Sequence, residues 1–441
     1  MGLLFSDAAM QISTEEAPYM SMKFFISTIP FFDSDMAVHA YRFVTKAGDI
    51  LFGAADDHRM LGAELLAPGL ELVSEIGVEP FAGSYDLFIE LTKYQLLMGM
   101  PLNTGIPPDK LVCIIDKKTL SDSAVLEKMG ILKQSGYRMA IDGLSDAIDI
   151  ETTIKFFDYV LLDIKSNSFV DDVKKVQVRN EEIQIVFTDI PDMDSFEKLS
   201  TLPNVLLSGD FYSEPITKGN VEISPLKVNS LNLLRQINEE DLDLISAANT
   251  IERDPALSIS LLRFINSFSL GSGKKIDSIR HAVAILGQKE VKKWATVAIS
   301  VSIGEDRPSE ITKLSLIRAK FAENLAPAFD MAIKSGALFI AGLFSLLDVI
   351  LQKPMDQALD EVAANAEIRD ALANKTGRMY DVLSLIHAYE RADWQNTTVK
   401  LVLHSIKVEV VTQAYLDSLG WYRLLLDSID DSEDDLEAAP D

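Results

Sequence analysis

The hydrophobic pattern in the first half of the chain is that of buried strands. Between about residue 23 and residue 218, short apolar runs alternate with amphipathic stretches. A strand covered on both faces is apolar at nearly every position, so such runs predict strands of a mostly parallel sheet. Six runs have this character: Val38–Val44, Leu111–Ile115, Arg138–Ile141, Tyr159–Ile164, Ile183–Phe187 and Asn204–Leu207.

The stretches between these runs predict helices. In the segment 122–134, Val125, Met129 and Leu132 recur at steps of four and three, which places them on one helical face. Strands that alternate with helices build β-α units. A complete barrel of eight such units takes about 250 residues and this region has about 195, so we expect a trimmed or irregular (β/α) barrel.

Beyond residue 230 the apolar positions follow the helical period, and we predict an all-α domain. Asp254 followed by Pro255 predicts a helix start, because the Asp side chain accepts hydrogen bonds from the free amides and proline suits the first helical position. Ser278 begins another helix, and Gly287 is suited to the left-handed conformation that ends one. A further helical face is formed by Ile311, Leu314, Ile317, Phe321 and Leu325.

These patterns predict five segments along the chain. They are an N-terminal tail (1–22), the barrel (23–218), a linker (219–230), the all-α domain (231–423) and an acidic tail (424–441). The last segment has eight acidic residues and no basic one, which is typical of a solvated, disordered tail. A partner-binding acidic tail is the alternative.

The charge of the chain argues against two classes of partner. The 441 residues include 41 Lys and Arg against 67 Asp and Glu, a formal charge of −26. Phosphate binding needs clustered basic side chains, so we expect no nucleic-acid partner, and an anionic membrane surface is disfavoured likewise. The most apolar stretch, Ala337–Leu347, is too short to span a bilayer, and the N-terminus lacks the basic residues of a secretory signal. We therefore expect a soluble, cytoplasmic protein.

Cys113 is the single cysteine, which excludes internal disulfides and any multi-cysteine metal site. It fits a reducing compartment. Because it lies inside an apolar run, we interpret it as a small core residue. Lys289, Lys292 and Lys293 form a short basic helix face that we expect to be solvated, and a docking surface for an acidic partner is the alternative.

Two aspartates end apolar runs in the first half: Asp142 in YRMAID and Asp163 in YVLLDIK. Carboxylates at the carboxyl ends of barrel strands face the site side, and a pair of them could hold a divalent metal. A strand-end aspartate is at least as often a cap for the following segment, and this alternative stays open.

The first half also contains, in order, the stretches IPFFDSDMAVHAYRFV, EPFAGSYDLFIELT, GYRMAIDGL, FDYVLLDIK, DIPDMDSFEKL and GDFYSEPI. In their order and spacing they resemble the EAL domain, the fold of cyclic-di-GMP phosphodiesterases, in the shortened version that precedes an HDOD domain. The resemblance implies a β/α barrel whose family members hydrolyse with metal ions fixed by a cluster of anionic ligands.

The chain departs from the EAL pattern at the positions that the resemblance assigns to the site. Arg42 stands at the signature glutamate, and a guanidinium cation cannot coordinate a metal. Asp142 is retained, but Gly143 follows it where the family has a second aspartate. Asp163 and Glu90 are the other acidic positions, Glu90 standing for the family's asparagine. The further substituted positions are Ile114 or Ile115, Leu161, Thr188, Pro191 and Ser208.

The second half contains IERDPALSISLLRFINS, KIDSIRHAVAILGQKEVKKW, FIAGLFSLLDVIL and LSLIHAYERADW, which resemble the HDOD family. HDOD domains are relatives of HD-type metal-dependent phosphohydrolases without the hydrolase residues. In GLFSLLD, Ser345 and Leu346 stand at the His-Asp pair. No histidine lies between Ala282 and Ile386, so a centre of several imidazoles cannot form there. His281 and His387 are interpreted as surface or packing residues.

These observations lead to three hypotheses about function. The first is a non-catalytic bacterial signal-transduction protein that acts through contacts with other signalling proteins, in cyclic-di-GMP-linked or motility and biofilm signalling. Under this hypothesis the protein has no catalytic residue, metal or cofactor, and homo-oligomerisation stays an open alternative. The second is a sensor that binds cyclic-di-GMP or another nucleotide without cleaving it. The third is an active phosphodiesterase with an unusual site around Asp142, Asp163 and Glu90.

Overall fold

The computed structural model describes residues 24–47, 69–144, 153–179, 182–215, 244–253, 278–304 and 308–437, with isolated residues between 230 and 276. These residues form two compact units. The barrel unit contains the described residues up to 214 together with 387–409, and the helical unit contains those from 215 to 386 and from 410 onward. The predicted N-terminal tail, the linker apart from residue 230, and the Asp254–Pro255 helix start lie outside the described residues.

Eight strands close into a barrel in sequence order. Strands β2 to β8 are parallel neighbours, whereas β1 is antiparallel to both β2 and β8. The reversed first strand makes the barrel irregular, as the sequence predicts. The strands are β1 Phe24–Phe32, β2 Val38–Ala47, β3 Asp86–Leu91, β4 Leu111–Ile115, β5 Arg138–Asp142, β6 Tyr159–Asp163, β7 Gln184–Ile190 and β8 Val205–Gly209.

All six apolar runs of the sequence are strands, but they do not include β1 and β3. Strand β1 contains Ser27, Thr28 and Pro30, which interrupt its apolar pattern. Pro30 is tolerated there because it lies on the strand where pairing with β8 is reduced to a single position. Local pattern thus misses a strand whose place is set by barrel closure.

The barrel interior is filled by side chains, so it is a packed core and not a pore. Phe88 lies at its centre, with edge contacts to Phe31 and Tyr159 at ring-centroid distances of 5.0 and 4.9 Å. The inward cluster is Phe31, Ala40, Phe88, Val112, Ile114, Ala140, Tyr159, Leu161, Val186 and Leu206.

Short helices connect the barrel strands. Helix α4 confirms the predicted segment, with Asp122 as the N-cap that accepts a hydrogen bond from the Ala124 amide, and with Val125, Met129 and Leu132 buried. The helices are α1 Gly69–Ile76, α2 Glu79–Ala82, α3 Lys93–Met98, α4 Ser123–Gln134, α5 Phe169–Arg179 and α6 Met193–Leu199.

The described part of the remaining chain is helical, which confirms the predicted all-α domain after the barrel. Its helices are α7 Leu244–Glu252, α8 Ile279–Ile303, α9 Ser309–Leu325, α10 Ser335–Leu343, α11 Leu347–Leu351, α12 Met355–Glu361, α13 Ala366–Leu372, α14 Gly377–Glu390, α15 Trp394–Leu403 and α16 Val408–Glu437. Gly287 has φ 74° and kinks α8, so the predicted helix end is a break after which a second helical stretch follows at once.

The packing of α9 against α10 depends on a glycine. A Cβ on Gly342 would lie 2.6 Å from the Arg318 carbonyl oxygen and 2.7 Å from the Ala319 Cα. Both atoms belong to the backbone of α9 and cannot rotate away, so only glycine allows this helix-helix distance.

On the basic face of α8, Lys289 is exposed as expected, but the expectation is wrong for Lys293. Lys293 is buried, pairs with Glu323 and lies over the Phe339 ring at 5.1 Å. The long kinked helix presents this position to α9 and α10, where a lysine is tolerated because a carboxylate and an aromatic face meet its ammonium group.

The described part of the acidic segment after Arg423 continues a helix, and the disorder of the tail stays a prediction. Helix α16 begins at Val408, its first half contains the buried Val411, Tyr415 and Leu419, and it continues as far as Glu437. Extending a packed helix needs no new nucleation, so an acidic sequence can follow it in helical form.

One stretch has the length and hydropathy of a membrane-spanning helix, namely Ala332–Leu351, with mean hydropathy 1.8. It is longer than the run that the sequence singled out. It consists of four short helical elements and is 61% buried within its best window, which is the pattern of a core segment.

Candidate functional site

The carboxyl ends of strands β2 to β8 form one mouth of the barrel, and the side chains that point inward there are set by strand alternation. Ala40 and Ala140 belong to the inward cluster. Arg42 and Asp142 lie two residues further along the same strands, so both point inward at the mouth.

Arg42 and Asp142 form an ion pair across this mouth. The Arg42 Nη2 atom donates a hydrogen bond to Asp142 Oδ2 at 2.7 Å. Strands β2 and β5 are separated by β3 and β4, so the side chains meet inside the ring and not along a shared strand edge. Arg42 is 21% exposed and Asp142 47% exposed, which leaves the pair open to solvent from one side.

Asp163 stabilises the turn that directly follows its own strand. Its Oδ1 atom accepts a hydrogen bond from the Lys165 amide at 2.8 Å, the local turn that strand-end aspartates commonly make. Lys165 in turn donates to Asp189 at 3.1 Å. This geometry supports the capping interpretation of Asp163 that the sequence left open.

The structure brings Lys117 to the place where the EAL pattern has a second aspartate. Gly143 has φ 72°, and a Cβ at this position would lie 2.7 Å from Lys117 Nζ. The lysine also donates to the Leu144 carbonyl oxygen at 3.4 Å. Lys117 comes from the turn after β4, and no motif in the sequence marks it.

The remaining EAL-type positions are placed by the strand register. Leu161 is buried opposite Asp142, and Thr188 pairs with Asp163 one layer nearer the mouth. Glu90 is exposed near the end of β3. The Ser208 hydroxyl donates to the Pro30 carbonyl oxygen at 2.9 Å and so ties β8 to β1.

This donor set does not fit the two-metal site of the EAL pattern. Two cations, Arg42 and Lys117, lie where carboxylates would be needed, and one of the two strand-end aspartates is held by Arg42. Across the described residues there is no group of three or more His, Cys, Asp or Glu side chains that could hold a metal ion. These side chains therefore do not suit a pair of divalent metal ions.

In the helical unit, the residue at the HD-type position likewise contacts an arginine. Ser345 lies in the turn Phe344–Leu346 and its hydroxyl accepts a hydrogen bond from the buried Arg318 at 3.2 Å. Leu346 is buried. His281 and His387 are exposed on their helices, as the surface interpretation expects.

Cys113 is fully buried in β4, which confirms the core interpretation. Burial raises the pKa of its thiol to about 12, since the thiolate would lose its hydration. It is therefore protonated and unreactive at neutral pH.

Residues 223–381 match the HDOD domain family. The chain carries an HDOD domain. The HDOD match follows the closed barrel in the order that the sequence predicts, and this organisation fits an EAL-HDOD protein.

Two relatives extend over most of this chain. The uncharacterized protein YuxH of Bacillus subtilis is 25% identical over 430 residues, covering 92% of this chain and all of the relative. The cyclic di-GMP phosphodiesterase CdgJ of Vibrio cholerae is 24% identical over 349 residues, covering 78% of this chain and 80% of the relative.

Among solved structures, the chain is similar to EAL proteins over its barrel. One is the PaMucR phosphodiesterase in complex with c-di-GMP, with a TM-score of 0.36, 14% identity, and coverage of 42% of this chain and 94% of the other. Another is an EAL domain protein from Listeria monocytogenes, with a TM-score of 0.34, 14% identity, and coverage of 44% and 88%.

Proposed function

We propose that this EAL-HDOD chain is a non-catalytic signalling protein of the cytoplasm that acts through protein-protein contacts in cyclic-di-GMP-linked signalling. The observation that carries the proposal is the Arg42–Asp142 ion pair across the barrel mouth. A hydrolytic two-metal site needs free carboxylates that converge on the ions. In this chain the Arg42 guanidinium, bonded to Asp142, stands in place of such a carboxylate.

Two further contacts support the proposal. Lys117 lies against Gly143 and would repel a divalent ion from the same mouth. In the helical unit, Arg318 bonds to Ser345 where an HD hydrolase has its histidine. In the residues that the structure describes, both units keep a packed core and hold no cluster of metal-binding side chains, which favours recognition over hydrolysis.

The link to cyclic-di-GMP signalling rests on the relatives. CdgJ is named as a cyclic di-GMP phosphodiesterase and matches 78% of this chain. At 24% identity the two chains can share a signalling setting while differing in chemistry, because activity depends on a few site residues and not on the fold.

The proposal is tested by incubating the purified full-length protein with cyclic-di-GMP and Mg²⁺ or Mn²⁺. We expect no linear dinucleotide above the blank, and the same result for Asp142→Ala. In parallel, the tagged protein is used to capture a partner from its native cell in the presence of EDTA. A defined partner bound stoichiometrically and without metal supports the proposal, whereas turnover that Asp142→Ala abolishes overturns it.

A second candidate function is a sensor that binds a nucleotide without cleaving it. The cations Arg42 and Lys117 both lie against the end of β5 at the barrel mouth, and they favour an anionic ligand there. Thermal unfolding with and without cyclic-di-GMP separates the two candidates. A ligand at 100 times its dissociation constant stabilises a fold by about 2.7 kcal/mol, so an unchanged melting temperature at millimolar ligand would rule out the sensor.

A further inference from the structure

The barrel has one weak seam, between its first and last strands. The strand register pairs β1 with β8 only at Phe32 and Leu207, near the end of β1 that lies away from the mouth. Ser208 adds one bond to the Pro30 carbonyl oxygen. From Phe24 to Ile29, β1 therefore has β2 on one side and no strand of the described chain on the other.

Residues 387–394, which we call the clasp, cover this open edge of β1. The Ile26 amide donates a hydrogen bond to the Tyr389 hydroxyl at 3.2 Å, and the bond is buried. The Ser27 hydroxyl donates to the Glu390 carbonyl oxygen at 3.2 Å. The first bond satisfies a backbone amide that the missing ladder would otherwise leave unsatisfied, and the second ties the Ser27 side chain to the clasp.

An aromatic cluster fixes the clasp to the same strand. Phe25 stacks on Trp394, with ring centroids 5.1 Å apart and an interplanar angle of 5°. Tyr389 makes edge contacts to both rings, at 6.1 and 5.5 Å. Phe25 and Tyr389 are fully buried, so the contact forms part of the barrel unit's core.

The clasp also reaches the other side of the seam. Arg391 Nε contacts Asp210 Oδ1 at 3.0 Å, and Asp210 directly follows β8. The clasp is therefore bonded to β1 through Tyr389 and Glu390 and to the end of β8 through Arg391. It bridges the two strands at the mouth, where they do not pair with each other.

The clasp is joined covalently to the HDOD part of the chain. Tyr389 and Glu390 are the last two residues of helix α14, which begins at Gly377. Residues 377–386 of the same helix belong to the helical unit. The mouth end of β1 also positions β2, because Ile29 is the register partner of Arg42.

We propose that the clasp is a conformational device: it holds the mouth end of β1 in the barrel, and helix α14 couples this seam to the helical unit. Fraying of the last turn of α14 releases the Ile26 and Ser27 bonds and loosens β1 beside Arg42. This inference is independent of the proposed function, because it concerns the local stability of β1 and neither turnover nor partner binding.

Hydrogen exchange of the full-length protein tests the clasp. Tyr389→Phe removes one hydroxyl and keeps the ring, so exchange at the amides of residues 24–27 should rise about fivefold while β3 to β6 stay unchanged. Tyr380→Phe, the same change in the helical-unit part of α14, should have no effect on β1. Unchanged exchange at β1, or an equal rise throughout the barrel, would overturn the clasp.

The coupling through α14 has its own matched pair, Ser384→Gly and Ser384→Ala. Glycine weakens a helix relative to alanine, so the glycine variant should raise exchange at residues 24–27 about two- to fivefold over the alanine variant. If α14 itself exchanges faster in the glycine variant while β1 does not, the coupling is wrong. Should Tyr389→Phe fail to fold, Arg391→Ala at the exposed end of the clasp replaces it, with the same expected location of the effect.

Discussion

At the scale of single residues, the character of the barrel mouth is decided by which charge each inward position carries. Arg42 shares its strand face with Ala40, and Asp142 shares its face with Ala140, so the backbone fixes their meeting. The contact is partly exposed, and such pairs contribute at most about 1 kcal/mol to stability. The Arg42–Asp142 pair therefore affects metal binding more than it affects folding.

Replacing Arg42 by glutamate should turn the barrel mouth from a site that repels a metal cation into one that attracts it. Arg42→Glu places a carboxylate beside Asp142, and we expect a loss of about 1 kcal/mol of stability without metal, because like charges then face each other. Millimolar Mn²⁺ should raise the melting temperature of this variant by several degrees and leave the wild type unchanged. Differential scanning fluorimetry measures both.

Arg42→Gln is the matched control, since it removes the cation without adding a ligand. Mn²⁺ should not stabilise it. Equal stabilisation of Arg42→Glu, Arg42→Gln and the wild type would mean that the metal binds elsewhere on this acidic chain.

The buried thiol of Cys113 makes a separate prediction for alkaline pH. Burial raises its pKa from the ordinary value of 9.0 to about 12 in the folded protein, so the unfolded chain loses the proton first as pH rises. The stability that this group contributes is complete below pH 9 and is lost as pH approaches 12, by up to about 1.4 kcal/mol per pH unit.

Urea unfolding of the wild type and Cys113→Ala at pH 8 to 11 measures this contribution. The alanine variant starts from lower stability because it leaves a small cavity, but its stability should fall less steeply with pH. If the stability of the two proteins falls in parallel with pH, the prediction is wrong, because the thiol then has the same pKa in the folded and the unfolded chain.

At the scale of elements, the sequence predicts regular segments well and misses those that need neighbours. Helix α4 and strands β4 to β8 carry their pattern locally. Strand β1 does not, because its polar Ser27 is satisfied by a distant part of the chain, the Glu390 carbonyl oxygen, which accepts a hydrogen bond from the Ser27 hydroxyl. The burial of Lys293 is missed for the same reason, since Glu323 and Phe339 come from other helices.

The contact between α9 and α10 gives a prediction about glycine. Gly342→Ala should destabilise the helical unit by about 3 kcal/mol, because the new methyl group would overlap the α9 backbone. Gly336→Ala in the same helix meets the end of the exposed Lys289 side chain at 3.3 Å and Lys293 Cε at an ordinary 3.8 Å, so it should be neutral or slightly stabilising. Chemical denaturation of both variants measures the difference, and similar values would contradict the close approach.

At the scale of the whole molecule, one compact unit is built from two distant parts of the sequence. Residues 387–409 belong with the barrel, although they follow the HDOD match and were assigned to the helical domain from their helical period. Helical period reports the type of an element and carries no information on the unit against which the element packs.

This arrangement predicts that the barrel sequence does not fold well on its own. A fragment of residues 1–214 lacks the clasp and leaves Phe25 and the edge of β1 uncovered. We expect it to unfold at lower urea concentration than the barrel of the full chain, with strand β1 unprotected in hydrogen exchange. A fragment whose β1 is as protected as in the full chain would contradict this expectation.

The sequence by itself determined six of the eight barrel strands, the order of barrel and helical domain, the core role of Cys113 and the presence of Arg42 and Gly143 at EAL-type positions, because each depends on local pattern or on residue identity. Only the tertiary structure decided that Arg42 bonds to Asp142, that Lys117 lies against Gly143 and that residues 387–394 close the seam. These contacts join residues that are far apart in the chain. They are set by barrel closure and helix packing, which no short window of sequence encodes.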